Sequence, residues 1–165
     1  MGAGKTTVGR QLARRLGKRF RDTDQEVEDR TGVTVATIFE IEGEAGFRAR
    51  ESRVIEELTD AEDLVLATGG GVVLDAGNRA RLATRGFVIY LCAQPRDLWQ
   101  RTRHDKSRPL LHGADPLARL EELYAIRDPL YREIADLVID TGRQGVGALV
   151  ARVLAEIPDE CKLSA

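Results

Sequence analysis

Apolar residues recur along the chain with two different spacings. Val8, Leu12 and Leu16 fall at i, i+4 and i+8 with Arg10, Arg14 and Arg15 between them, which predicts an amphipathic helix opening the chain. A short extended piece, Lys18 to Asp22, follows it, and then helical material from Asp24 to about Leu58, broken into three pieces at Gly32 and Gly43. Leu64 to Ala67 reads as a buried strand ending in Thr68 and three glycines, with a helix next around Asn78 to Thr84. FVIYLC, Phe87 to Cys92, reads as a second central strand, and PRDLWQRTR, Pro95 to Arg103, as a helix with proline in its first turn. The polar stretch from His104 to Pro116 carries two prolines and predicts a mobile loop. A long helix from Leu117 to Asp136, interrupted at Pro129, a last strand from Leu137 to Asp140 and a closing helix from Val146 to Ile157 complete the pattern. Alternating helical and extended segments predict an α/β fold, a parallel sheet flanked by helices in one domain over residues 1–165.

Composition narrows the class. Of 165 residues, 42% are apolar and 32% charged, the balance of a globular protein. No apolar run approaches the ~20 residues a membrane helix needs, and no apolar leader opens the chain, so no membrane partner and a cytoplasmic location are expected. A net charge of -2 argues against nucleic acid as a partner, so basic clusters need local explanations. Cys92 in an apolar run and Cys161 in a polar tail suggest two plain thiols, and His104 and His112 have no metal-ligand spacing.

Three constellations carry chemistry. MGAGKTT, Met1 to Thr7, matches the end of the phosphate-loop pattern G-x-x-x-x-G-K-[ST], with Gly4, Lys5 and Thr6 in the last fixed positions. Backbone N–H groups of Gly2, Ala3, Gly4 and Thr7 would cradle phosphate at a helix start. The plain alternative is a flexible glycine-rich end. Next comes RDTD, where Asp22 and Asp24 end an extended piece. Two carboxylates one residue apart can divide magnesium binding and orientation of an attacking hydroxyl, or Asp24 can simply cap a helix. ATGGGVV, Ala67 to Val73, is costly in conformational entropy, so it serves either close approach of a ligand to the backbone or a tight turn. Arg48, Arg108 and Arg127 are candidate holders of carboxylate or phosphate, although any one arginine is more often a solvated surface residue. No N-K-x-D sequence supports a GTPase.

GAGKTTVGR, DTD, Phe47 with Arg48, TGGGVV, RPLL and RDPLY occur in an order and at spacings that resemble the shikimate kinases over essentially the whole chain. The resemblance implies a P-loop kinase fold with a five-stranded parallel sheet in order 2-3-1-4-5, whose first strand would lie upstream of Met1. A translation start placed too late, inside the loop, is the expected reason, with a true variant as the competing one. The implied reaction moves the γ-phosphate of ATP to the 3-hydroxyl of shikimate, with Mg2+. By the same resemblance, Lys5 holds the transferring phosphate, Thr6 binds the metal with Asp22 assisting through water, and Asp24 binds the shikimate hydroxyls and orients or deprotonates the nucleophile. Arg48 and Arg127 clamp the shikimate carboxylate, Gly69, Gly70 and Gly71 close over the ring, and Arg108 swings in on a lid at about 104–116. The region of about 24–58 is the shikimate-binding helical part. Gly142 to Gly147, including Arg143 and Gln144, packs on adenine, with Val146 where a proline is common. A monomer is expected. Within the same class, a gluconate-type kinase is the runner-up; a non-catalytic shikimate-binding domain is the alternative outside it.

Overall fold

The structure is a computed structural model that describes residues 2–103, 115–142 and 144–162. Arg108, Arg143 and nearly all of the expected lid lie outside the described residues. Helix α1 (Lys5–Leu16) starts from Gly4 at φ 85° and stops at Gly17, whose left-handed backbone lets its N–H bond Ala13 O. Strand β1 (Arg19–Asp22) leads into α2 (Thr23–Thr31) through Asp22, whose carboxylate accepts from Asp24 N and caps the helix. Gly32 ends α2 in the left-handed region, and α3 (Val35–Leu58) turns at Gly43, φ 71° and ψ -177°. Both glycine breaks therefore fall where the sequence puts them.

Strand β2 (Leu64–Ala67) follows, then a single 3-10 turn (Val72–Leu74), α4 (Ala76–Arg85), β3 (Ile89–Cys92) and α5 (Pro95–Thr102). Helix α6 (Pro116–Ile134) is capped by Asp115, whose carboxylate accepts from Ala118 N. It runs unbroken through Pro129, contrary to the interruption expected there. An interior proline removes one backbone bond but does not have to end a helix whose two halves are held by the core. Leu120 and Leu123 are buried on the first half, and Leu130, Tyr131 and Ile134 pack into the core on the second. Strand β4 (Leu137–Asp140), α7 (Val146–Glu156) and the short α8 (Asp159–Lys162) complete the chain, α8 being an addition to the expected elements.

The strands form two parallel pairs. β1 lies on β2 in the register Arg19 with Leu64 to Asp22 with Ala67, and β3 lies on β4 from Ile89 with Leu137 to Cys92 with Asp140. These are the pairs that the order 2-3-1-4-5 leaves adjacent on either side of its first strand. Among the described residues no ladder joins β2 to β3. A cavity of ≈ 850 Å³ lies there, lined by Val65 and Leu66 of β2 and by Ile89, Tyr90 and Leu91 of β3.

Helices cover both sides, as parallel strands require. Val8 and Leu12 of α1 pack with Ile139 and with Leu149, Val150 and Val153 of α7, and Val65, Ile89 and Leu91 close this face. On the opposite face Ile55, Val72 and Val73 meet Leu66, Leu82, Leu130 and Tyr131. Val27, Ile38, Phe47 and Val54 form a third cluster that holds α2 against α3. The carboxyl ends of β1 and β2, where ligands gather in such folds, face the loop at Gly4.

Candidate active site

Gly2 and Gly4 both sit at positive φ, 67° and 85°, which only glycine adopts without strain. A side chain at Gly2 would also come within 2.6 Å of Thr102 Cγ2. The first turn of α1 holds no acidic residue, and the positive end of its dipole is a setting that favours an anion. Thr6 Oγ1 donates to Asp22 Oδ2 at 2.7 Å. Asp22 thus performs two tasks, capping α2 with one oxygen and meeting the phosphate loop with the other. The helix cap weighed for Asp24 falls on Asp22 instead, which leaves the Asp24 carboxylate for other work.

Asp24 stands in the first turn of α2 and keeps an exposed face while protein surrounds the rest of it. Loss of surrounding water raises its pKa, and Asp22 raises it further, while Lys5 and Arg48 pull it down. A carboxylate raised in this way gains basicity and remains within reach of two cations. A raised native pKa means that folding is helped most below the ordinary carboxylate range and loses that help as pH rises through the raised value. Asp24→Asn is therefore expected to raise the melting temperature at pH 8, by an amount that shrinks at pH 4. Calorimetry at the two pH values checks this; an equal or lower melting temperature at pH 8 contradicts it.

The glycine triplet runs beside these groups. Gly69 N donates to the buried hydroxyl of Thr23 at 2.9 Å, tying the triplet to the turn between Asp22 and Asp24. None of the three glycines adopts positive φ. At Gly69 and Gly71 smallness serves close approach, and the approaching groups belong to the protein itself. A Cβ at Gly69 would lie 2.3 Å from Glu51 Oε1 and 2.9 Å from Asp24 Oδ1, and one at Gly71 would lie 2.1 Å from Arg48 Nη2. Gly71→Ala is thus expected to push Arg48 out of place and to destabilise the fold by about 1–3 kcal/mol. Urea unfolding measures it, and a change below ~0.5 kcal/mol would show that the contact is slack.

Arg48 lies in the second half of α3, past the Gly43 turn. Its Nη1 donates to Glu51 Oε2 at 2.6 Å, and its Nε and Nη2 donate to Glu44 Oε1 at 3.2 and 3.0 Å. Glu51 is fully buried, and its Oε1 has no hydrogen-bond partner. Burial raises the Glu51 pKa, and Arg48 opposes the rise. Arg127, 7% exposed, donates from Nη1 to Gly70 O at 2.9 Å, and its Nε is buried without a partner. Burial works against the Arg127 cation, and the charge of Arg48 adds to that. Tyr131 fixes the same carbonyl by donating to Gly70 O at 2.6 Å. Two guanidinium groups therefore stand near one another, Arg48 held by Glu44 and Glu51 and Arg127 bonded to a backbone carbonyl, and a guanidinium is suited to an incoming carboxylate.

The structure brings together Gly2, Ala3, Gly4, Lys5, Thr6, Thr7, Asp22, Asp24, Arg48, Gly69, Gly70, Gly71 and Arg127 around the ends of β1 and β2. Gln144 stands apart, exposed between β4 and α7. Its loop is joined to the phosphate loop by a residue that sequence reasoning missed: Arg101 of α5 donates to Thr141 Oγ1, Thr141 O and Gly142 O, and at 3.5 Å to Gly2 O. Nothing in its local sequence marks Arg101 as more than a helix-end cation. Glu51 was also missed, yet it left a trace. Phe47, Glu51, Val54 and Ile55 share one buried face of α3, so a carboxylate occupies a slot that the period reserves for an apolar residue.

The comparisons with known proteins agree with one another. A profile of the family described as shikimate kinase matches residues 1–158. The shikimate kinase of Burkholderia lata is 60% identical over 157 residues, covering 95% of this chain and 85% of that protein. The shikimate kinase of Chromobacterium violaceum is 62% identical over 159 residues, covering 96% and 86%. Among solved structures, shikimate kinase from Acinetobacter baumannii in complex with shikimate superposes with a TM-score of 0.91 at 51% identity, covering 93% of this chain and 86% of the other. The enzyme from Aquifex aeolicus gives 0.80 at 29% identity, covering 94% and 89%. With a profile match along nearly its whole length, relatives about three-fifths identical and a parallel α/β core that superposes on solved shikimate kinases, this chain belongs to the shikimate kinase family.

Proposed function

We propose that this chain transfers the γ-phosphate of ATP to the 3-hydroxyl of shikimate, releasing shikimate 3-phosphate and ADP. The observation that carries the reading is the convergence of a carboxylate, Asp24, and two guanidinium groups, Arg48 and Arg127, on the Gly69–Gly71 backbone beside the helix end that bears Lys5 and Thr6. A substrate with a carboxylate at one end and a hydroxyl at the other fits that spread of charge. Arg48 and Arg127 grip the carboxylate and so fix the ring. Asp24 holds the reacting hydroxyl, aligns it with the phosphate and accepts its proton, the task for which its raised pKa suits it. Lys5 and the N–H groups of Gly4 and its neighbours hold the transferring phosphate as its charge spreads.

Mg2+ is the metal that this chemistry uses, and when bound it neutralises charge across the phosphates. The hydroxyl of Thr6 and the carboxylate of Asp22, already 2.7 Å apart, are hard oxygen donors of the kind it prefers. Among the described residues no cluster of three or more His, Cys, Asp or Glu side chains could cage a metal. Magnesium, which keeps most of its waters and takes only one or two protein ligands beside a nucleotide, suits so sparse a set. The parts given to Arg108 on the phosphates and to Arg143 and Gln144 on adenine belong to the same reading, as do a monomeric state and a cytoplasmic location.

Phosphorus NMR of a reaction with Mg-ATP and shikimate tests the chemistry. One phosphate monoester on the 3-oxygen is the expected product, and consumption of ATP without an ester would overturn the reading. Thr6→Val should raise the Mg2+ concentration needed for half-maximal ADP release by about tenfold or more. An unchanged requirement would remove Thr6 from the metal.

A further inference from the structure

We propose that Glu44 occupies the place of the substrate's carboxylate on Arg48, so that the substrate binds by displacing a carboxylate of the protein itself. The inference rests on the two-arginine clamp described above. Three of the five N–H groups of the Arg48 guanidinium are engaged: one on Nη1 by Glu51, and the Nε–Nη2 edge by the single oxygen Oε1 of Glu44. A substrate carboxylate that takes up the bidentate Nε–Nη2 edge of Arg48 has to replace Glu44 there. Glu51 cannot give way. Its side chain is fully buried and wedged against the backbone at Gly69, where even a Cβ would lie 2.3 Å from Oε1.

Glu44 can. Its side chain is 45% exposed, and its link to Arg48 is an i,i+4 ion pair on the solvent side of a helix, a contact that contributes little because water competes for both partners. It also lines a recess of ≈ 480 Å³ together with Arg48, Ser52 and Asp75, which gives its side chain room to turn away from Arg48. The Glu44 charge supports the cationic form of Arg127 as well, which puts its carboxylate within the field of both clamp arginines. A rotation about the Glu44 side chain bonds suffices to vacate the place on Arg48, with no movement of the α3 backbone. Arg48 then meets its substrate already aligned by Glu51, the partner that stays.

Calorimetric titration of the nucleotide-free chain with shikimate, and separately with its methyl ester, tests this in wild type, Glu44→Gln and Glu44→Asp. Glu44→Gln is expected to bind shikimate about fivefold more tightly than wild type, the scale of a released surface ion pair. Affinity for the ester, which has no carboxylate to seat, should stay the same. Glu44→Asp keeps the charge on a shorter stem and should fall between the two. Equal or weaker binding of shikimate by Glu44→Gln would overturn the displacement, as would an equal gain for the ester. Failure of wild type and variant alike to bind shikimate would instead reject shikimate as the ligand, and the displacement with it.

Discussion

Asp24→Asn is expected to lower kcat for shikimate by about 10²- to 10⁴-fold, the usual worth of a positioned proton acceptor. Its effect on the KM for ATP should stay within about threefold. The variant keeps the shape of the side chain and its place in the first turn of α2, but it cannot accept the hydroxyl proton. Because the native pKa of Asp24 is raised by its surroundings, the wild-type rate should fall as pH drops through that raised value, where the carboxylate is lost to protonation. Steady-state kinetics from pH 5 to 9 check both parts. A variant that retains more than a tenth of wild-type kcat would assign the proton to another acceptor. A rise in melting temperature at pH 8 accompanying the loss of rate would show one feature producing both: a carboxylate held for chemistry at some cost in stability.

Arg127→Ala should raise the KM for shikimate by about 10- to 100-fold and leave that for ATP nearly unchanged. Hydrogen bonds to charged groups contribute about 1.5–3 kcal/mol, which sets that range. The arginine is buried and also fixes Gly70 O, so its loss has a structural side. Arg127→Lys separates the two effects, because it restores charge without the planar fork that holds a carboxylate at two points. Partial recovery of shikimate affinity by the lysine variant fits the clamp. Equal losses for shikimate and ATP in both variants would remove Arg127 from the substrate side and leave it a structural role only.

Much of this site was legible in the sequence because each of its parts carries a local signature. Lys5 and Thr6 stand in a fixed pattern, Asp22 and Asp24 end an extended piece, and the triplet at Gly69 follows an apolar run. The strands Leu64–Ala67 and Leu137–Asp140 were readable to the residue, since parallel strands covered by helices are short apolar runs bounded by glycine or polar residues. Phe87 and Val88 were counted into β3 on the same grounds. Val88 does take part in bonding, donating to Asp136 Oδ2 and accepting from Asp136 N and Leu137 N, but in a pattern outside the regular ladder.

Pro129 misled for a physical reason. A proline removes one hydrogen bond, and the sequence does not display the packing of Leu130, Tyr131 and Ile134 that keeps α6 in one piece. The reasons for the glycines were only half visible. Their smallness was evident, but that Glu51 and Arg48 press on them is a matter of contacts between residues far apart in sequence. Glu44 was illegible for the same cause: an acidic residue four before an arginine is an ordinary surface pair until Arg48 is seen to lie beside a second guanidinium.

The most direct measurement is coupled ADP release from Mg-ATP by the 165-residue chain, with shikimate, gluconate or no acceptor supplied in parallel. Release that depends on shikimate, with gluconate no better than no acceptor, is the expected result. Release that gluconate supports as well as shikimate, or that needs no acceptor, would contradict a kinase built around a carboxylate clamp for shikimate.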